Sequence, residues 1–283
     1  MTKPVGYVNG RFVPLANIAI ALDDAGFVWG ATVTDRLRTF GGRLFRLEAH
    51  LARFRQSCHL ARVPLSVADA DLAEVSRQLV AQDFTGRELS LVWLATPGQP
   101  VSGPTLIAYT RPLDENRIAR LHASGARLAT AAAGVAVDPR IKHRSRLNWW
   151  VAAADARERD PEAEPLLLDR VSGHVLETPT ANVLAVLDGV VTSPMTGTVL
   201  PGVSLTVVRE LCQAHAIPFA EQALTVGDLG VASEVFLTNT TYCVAGVARL
   251  DGRPVPFPGP ILNRLLDAWT ERVGTPVRVA ARS

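Results

Sequence analysis

Lysine is almost absent from this chain. The 29 Lys+Arg residues include two lysines, Lys3 and Lys142, and are otherwise arginine. On a solvated surface the two cations are nearly interchangeable, so a lysine kept in the interior of such a chain points to chemistry that arginine cannot do. Cysteine is scarce as well. Cys58, Cys212 and Cys243 are odd in number and far apart, and no Cys-x-x-Cys or Cys/His pair has metal-ligand spacing. That excludes a disulfide framework and a zinc motif; the expectation is reduced, buried thiols in a reducing cytosol, with no metal. Net charge is small, +2 at pH 7, and the arginines are scattered rather than gathered in a stripe, which argues against nucleic acid or an anionic membrane as partner. No uninterrupted apolar run of about 18 residues occurs, which excludes a membrane-spanning helix. The opening MTKPVGYVNGRF has no apolar signal core, so the expected location is cytoplasmic.

What is present reads as a mixed α+β chain. With 283 residues, 48% of them hydrophobic and 20% charged, the chain can build two modest domains, each with its own core. YVNGRFVP (7–14) predicts two strands about an Asn-Gly turn, and VTDRLRTFGGRLFRL (33–47) a second hairpin at Gly41-Gly42. Leu47, Leu51, Phe54 and Cys58 fall on one face of a helix over 47–61. A second helix follows, with Ser66 as N-cap and Asp69 completing a capping box. Strands are expected at 88–96, 105–110, 127–137 and 234–240, with a Pro/Gly-rich loop over 97–104. Hairpins are expected at 164–178 and 182–194, the latter about Asp188-Gly189, and helices from near Arg146, over Val203–His215 and over 259–273. Hairpin-joined strands argue for mixed or antiparallel sheets. RPLDENRIARL (111–121) is polar and holds a proline, and the connection placed there, 113–121, divides a small N-terminal domain (1–112) from a larger C-terminal one (122–283).

Lys142 stands in RIKHRSRLNWW, with Arg140, Arg144 and Arg146 close by. Arginine stays protonated in proteins, whereas lysine can lose its proton near other cations and then serve as a nucleophilic amine that forms a Schiff base. Three further features follow along the chain. Glu177 ends a strand ahead of Asn182 in VLETPTANVLAV, where an acid could pair with a protonated ring nitrogen. Leu200-Pro201-Gly202-Val203-Ser204 opens a helix, and the backbone N–H groups of a helix start suit a phosphate. The strand FLTNTTY ends in a hydroxyl cluster, another phosphate contact. Each alone is common; a strand-end glutamate is usually only solvated and a Pro-Gly helix start usually only a cap.

Taken in order, Lys142, Glu177, Leu200-Pro201-Gly202-Val203-Ser204 and Thr238-Asn239-Thr240-Thr241 resemble the fold type IV pyridoxal-phosphate enzymes. This is the class IV aminotransferase family, which includes branched-chain aminotransferases, D-amino acid aminotransferases and 4-amino-4-deoxychorismate lyases. The opening YVNGRFVPL…DDAGFVWGATVTDRLRTFGGRLFRLEAHLARF, with His50 and Arg53, is similar too, and the resemblance runs over about 6–250. It implies a fold type IV enzyme with two mixed or antiparallel-sheet domains and pyridoxal 5′-phosphate as cofactor. By resemblance Lys142 carries the cofactor as a Schiff base and then acts as general base, and Glu177 pairs with the ring nitrogen. Arg53, Gly202, Val203, Ser204, Thr240 and Thr241 take the phosphate or face it, Leu200 packs on the ring, and Arg146 lies near its 3′-oxygen. The family's sites lie between two domains with a neighbouring subunit's loop close by, so a homodimer is expected, acting on small amino and keto acids.

The departures from the family pattern concern the substrate. The arginine usual just after the strand ending in LAT is replaced by Pro97-Gly98-Gln99, Ser145 stands where relatives often have Asn, and Thr34-Asp35 replaces an aromatic and a glutamate. Thr34, Arg36, Arg38 and Arg144 are the candidate substrate contacts, and Trp149-Trp150 is expected to serve helix packing. The reading is an amino-acid transaminase; a deoxychorismate-type lyase, for which KHRSRL speaks, and a cofactor-binding protein without turnover are the alternatives.

Overall fold

The computed structural model describes residues 4–134 and 137–278. Lys3 and part of the expected strand 127–137 lie outside the described residues. The chain divides into two compact units, one formed by 1–113 with 140–145, the other by 114–139 with 146–283. The lysine segment therefore groups with the N-terminal unit, although a boundary at 112 would leave it in the C-terminal one.

In the first unit the chain runs through β1 (Val5–Val8), β2 (Arg11–Pro14), the short helix α1 (Ala25–Val28), β3 (Val33–Phe40), β4 (Arg43–Leu44), α2 (Leu47–Leu60), α3 (Asp69–Asp83), β5 (Leu89–Gln99) and β6 (Gly103–Pro112). Its described strands form one antiparallel sheet in the order β2-β1-β6-β5-β3-β4. Asn9 and Gly10 both take positive φ, 44° and 92°, as a two-residue hairpin turn requires. Alternation along β3 and β5 turns Val33, Leu37, Leu91 and Trp93 toward α2, where Leu47, Leu51, Phe54 and Cys58 complete the core. The Trp93 indole N–H, fully buried, donates to Ser76 Oγ of α3 at 3.0 Å.

Two local expectations fail here. Ser66 is not a cap: α3 starts at Asp69 with Ala68 as N-cap and no side-chain bond. Arg55 of α2 takes the Asp69 carboxylate and the Val67 carbonyl, so a tertiary contact displaces the local one. The loop over 97–104 is also shorter than its Pro/Gly content suggests, because β5 runs on through a bulge to Gln99.

The second unit contains α4 (Glu115–Ser124), β7 (Ala126–Ala132), α5 (Leu147–Arg159), β8 (Ala163–Leu168), β9 (Asn182–Leu187), β10 (Val190–Ser193), α6 (Val203–Ala214), β11 (Phe219–Glu221), α7 (Val226–Val231), β12 (Glu234–Asn239), β13 (Cys243–Leu250), β14 (Arg253–Pro254) and α8 (Pro260–Val273). Its described strands form a mixed sheet, β11-β10-β9-β12-β13-β7-β8, with β14 on β13. β7 pairs in parallel with β8 and β13, and β10 with β11. The stretch expected as a connection is largely α4, because the Asp114 carboxylate accepts from the Arg117 N–H and caps a helix there. The hairpin over 164–178 is reduced to single bridges on its second arm, Leu168 with Val175. In α5 the buried residues are Ala152 and Ala156; Trp150 is 71% exposed and packs no core, contrary to expectation. No helix among the described residues is long and apolar enough to cross a membrane. The three cysteines are buried, with burial pushing the Cys58 thiol up to about 12 and that of Cys212 to about 11, so neither is a thiolate at neutral pH.

Candidate active site

In the first unit the lysine segment lies along the edge of β3. Thr34 N–H donates to the Lys142 carbonyl at 2.9 Å, and Arg144 N–H to the Thr32 carbonyl at 2.8 Å, about a bridge between Val33 and His143. From α2, Ser57 Oγ accepts the Lys142 N–H at 3.1 Å and donates to the Arg140 carbonyl at 3.4 Å. Ser145 Oγ donates to the Gly30 carbonyl at 2.6 Å. Backbone bonds thus fix the lysine's main chain on both sides, and the residue is partly exposed. Ser57 has no signature in sequence: it is a polar residue on a helix face, and only the docking of 140–145 gives it a role.

Arg53 lies one helical turn before Ser57, and it is 7% exposed. Its Nε and Nη2 donate to the two oxygens of Asp35, each at 2.8 Å, and the His50 Nδ1–H donates to the same carboxylate at 2.8 Å. Burial alone would raise the Asp35 carboxyl, but the charges of Arg53 and His50 and their hydrogen bonds outweigh it and hold it well below the usual range. Burial dominates for His50 and lowers it, against the pull of Asp35. The His-x-x-Arg pair is therefore an aimed guanidinium fixed by a buried acid.

The candidate substrate residues of β3 differ among themselves. Thr34 is buried and its hydroxyl donates to the Trp93 carbonyl at 2.9 Å. Arg38 is buried, donates through Nε to the Thr39 carbonyl at 3.1 Å and stacks 4.1 Å over the Phe40 ring. Both are engaged in the sheet. Arg36 and Arg144 are exposed, and near enough that the charge of each acts on the other.

In the second unit three chain segments meet at one end of the sheet. Asn182 at the start of β9 pairs with Thr238 near the end of β12, and Asn182 also bridges back to Glu177. The Asn182 carboxamide donates to Glu177 Oε2 at 3.1 Å and to the Leu200 carbonyl at 3.0 Å, and the Leu200 N–H lies 3.3 Å from both Glu177 oxygens. Glu177 is thereby aimed by two donors rather than loose at a strand end. Gly202, the N-cap of α6, lets Asn182 approach: a Cβ there would sit 2.0 Å from Asn182 Oδ1. Val203 and Ser204 form the first turn of α6 and are buried. Across the end of β12, Asn239 donates to the Thr180 carbonyl at 3.2 Å and accepts the Thr241 N–H at 2.9 Å, which sets the turn carrying Thr240 and Thr241. Asn182, only a sequence landmark beforehand, is the hub of this cluster. Arg146, also of this unit, precedes α5 and lies 5.2 Å over the Trp149 ring.

Glu177, Leu200, Gly202, Val203, Ser204, Thr240 and Thr241 thus collect in one cluster, and Lys142, Arg53, Thr34, Arg36, Arg38 and Arg144 lie about β3 in the other unit. A carboxylate fixed beside a helix start offers an acid partner for a protonated nitrogen, and the helix start offers N–H donors for an anion.

Comparison with known proteins gives these residues a setting. The sequence profile described as "Amino-transferase class IV" matches residues 32–250. The chain is 26% identical over 287 residues to a D-alanine aminotransferase of Staphylococcus aureus (strain MSSA476), covering 94% of this chain and 97% of that one. It is 28% identical over 272 residues to a D-alanine aminotransferase of Bacillus licheniformis, covering 92% and 94%. Among solved structures, a branched-chain amino acid aminotransferase of Escherichia coli superposes with a TM-score of 0.82 at 22% identity, covering 95% of this chain and 93% of that one. Another branched-chain amino acid aminotransferase, complexed with N-(5′-phosphopyridoxyl)-L-glutamate, superposes with a TM-score of 0.86 at 24% identity, covering 96% and 95%. At those identities the last two likenesses show the fold.

Proposed function

Because the chain belongs to the class IV aminotransferases, and so is an enzyme that transfers an amino group, we propose that it does so with pyridoxal 5′-phosphate held through Lys142. The observation that carries this reading is the Glu177 carboxylate, fixed by Asn182 and the Leu200 N–H beside the start of α6. The residues present fit the group. Glu177 suits a protonated ring nitrogen; the backbone at Val203 and Ser204 suits a phosphate, with Thr240 and Thr241 adding polar contacts and Leu200 an apolar one; Arg53 supplies a positive charge already oriented by Asp35. Arg146 is assigned to the ring oxygen. When bound, the group supplies an electron sink for charge developing at the substrate's Cα.

The chain's own residues then do the rest. Lys142 would hold the group through its amine, and that amine, when free, would carry the proton on and off the substrate's Cα. Glu177 keeps its partner nitrogen protonated through the cycle. Arg36 and Arg144 take the substrate carboxylate; Thr34 and Arg38, engaged within the sheet, shape the face beneath it. The substrates are small amino and keto acids. The proposal extends to a cytoplasmic homodimer, which sedimentation velocity tests; the exposed Leu22, Phe27 and Trp29 of the first unit support an interface.

The test is the purified holoenzyme with a panel of amino donors and either 2-oxoglutarate or pyruvate. Loss of the cofactor's visible absorption on adding an amino acid, and its recovery with a keto acid, is the expected result. Lys142→Ala should abolish both. A wild type without cofactor absorption, or the same spectrum and turnover in Lys142→Ala, overturns the reading. Pyruvate release from aminodeoxychorismate without a keto acceptor would replace it with elimination.

A further inference from the structure

The face of the first sheet turned away from α2 and α3 is rich in arginine. Register fixes its composition: Arg36, Val92 and Tyr109 form one row across β3, β5 and β6, and Arg38, Ser90 and Arg111 the next. Alternation puts both rows opposite the core face of Leu37, Leu91, Trp93 and Ala108. Arg144 joins at the edge of β3, two residues from Lys142. Among the described residues no carboxylate lies within ion-pair distance of Arg36, Arg111 or Arg144. Arg36 is lowered from the usual arginine value, first by partial withdrawal from water and then by the charge of Arg144, with Tyr109 opposing and Arg111 adding. It stays charged; the direction records repulsion that an anion would relieve.

A second observation points the same way. Ser90 is 6% exposed, and its hydroxyl has no hydrogen-bond partner. It stands directly between Arg38 and Arg111 in the register. A buried hydroxyl left in this state is unfavourable, and beside a guanidinium its natural acceptor is a carboxylate. Adjacent strands lie about 4.8 Å apart, so β3 and β6 are about 10 Å apart, roughly the length of a four- or five-carbon diacid with a hydrogen bond at each end, and the Arg111 guanidinium lies 5.5 Å over the ring of Tyr109, in the row of Arg36.

We propose that Arg111 and Ser90 form a second carboxylate position beside the one at Arg36 and Arg144, so that the enzyme selects dicarboxylic amino and keto acids over neutral ones. This rests on the amino-transfer reading and adds its specificity. Arg36 and Arg144 hold the carboxylate next to the reacting carbon, and Arg111 with the Ser90 hydroxyl holds the far one.

The test compares kcat/KM of the holoenzyme for acidic and neutral donors of the same hand, in wild type, Arg111→Gln, Arg111→Lys and Ser90→Ala. Competitive inhibition by glutarate and by valerate, which carry two carboxylates and one on five carbons, reports binding without chemistry. Arg111→Gln should lower the acidic-to-neutral ratio about 10- to 100-fold, mostly through KM, and weaken glutarate by a similar factor, with partial rescue in Arg111→Lys. Ser90→Ala should lower the ratio about 5-fold. A ratio in Arg111→Gln equal to that of wild type, or wild-type turnover of both donor classes without preference, overturns this inference alone. Wild type that turns over neither class overturns the amino-transfer reading beneath it.

Discussion

The first unit orients its candidate chemistry with buried charge, and the second with backbone and amide groups. In the first, Arg53 is held by Asp35 and His50, all three below 10% exposed, and the ion pair is satisfied by geometry on both sides. In the second, Glu177 and the start of α6 are tied by one carboxamide, one backbone N–H and a glycine small enough to admit them. A buried charge network fails badly when one member is removed, since the remaining charge stays desolvated. A network of neutral donors fails more softly, because strand and helix backbones keep most of its geometry.

The sharpest way to break the comparison is Asp35→Asn. It leaves Arg53 buried without its counter-charge and should destabilise the first unit by about 3–5 kcal/mol at pH 7, read as a fall in the first urea midpoint. The pH dependence has a defined sign. The Asp35 pKa is lowered on folding, so its contribution is present above the unfolded value of about 3.8 and is lost as pH falls below it. The gap between wild type and Asp35→Asn should therefore narrow below about pH 4. A gap under about 1 kcal/mol at pH 7 would mean that the network is not what holds Arg53.

Gly202→Ala probes the second unit. Its methyl must displace Asn182 Oδ1, with an expected loss of about 1–3 kcal/mol and weaker retention of cofactor during dialysis. Stability and retention both matching wild type would show that Asn182 is not locked to the helix start. The smallest effect belongs to Ser57→Ala, which removes one bond to the Lys142 N–H and should cost about 1 kcal/mol or less. Its turnover should fall only several-fold, in kcat rather than KM; an unchanged kcat would show that the segment is fixed by β3 alone.

Much of the local fold was legible beforehand because short-range physics decides it. The Asn9-Gly10 and Asp188-Gly189 turns need positive φ, and both pairs take it. The Leu47–Cys58 face needs only helical spacing and something to bury against. What escaped was decided at longer range. Ser66-Val67-Ala68-Asp69 and Thr225-Val226-Gly227-Asp228 carry the same capping pattern, yet the box forms at Thr225 and not at Ser66, where Arg55 claims the aspartate. β13 was unassigned because its strand CVAGVARL is buried over most of its length, which erases alternation and admits Gly246.

The candidate site divides along the same line. Residue chemistry marked Lys142 by its rarity among arginines, and order along the chain joined it to Glu177, the Gly202–Ser204 helix start and the Thr238–Thr241 cluster, which names a chemistry. Which acid faces Arg53, which amide aims Glu177 and which arginines share one face of the first sheet depend on pairing between residues far apart in sequence. Asp35 meets Arg53 across 18 positions, Lys142 meets Ser57 across 85, and Glu177 meets Leu200 across 23. Propensity and spacing act over a few residues; sheet register and helix docking decide the rest, and with them the substrate face.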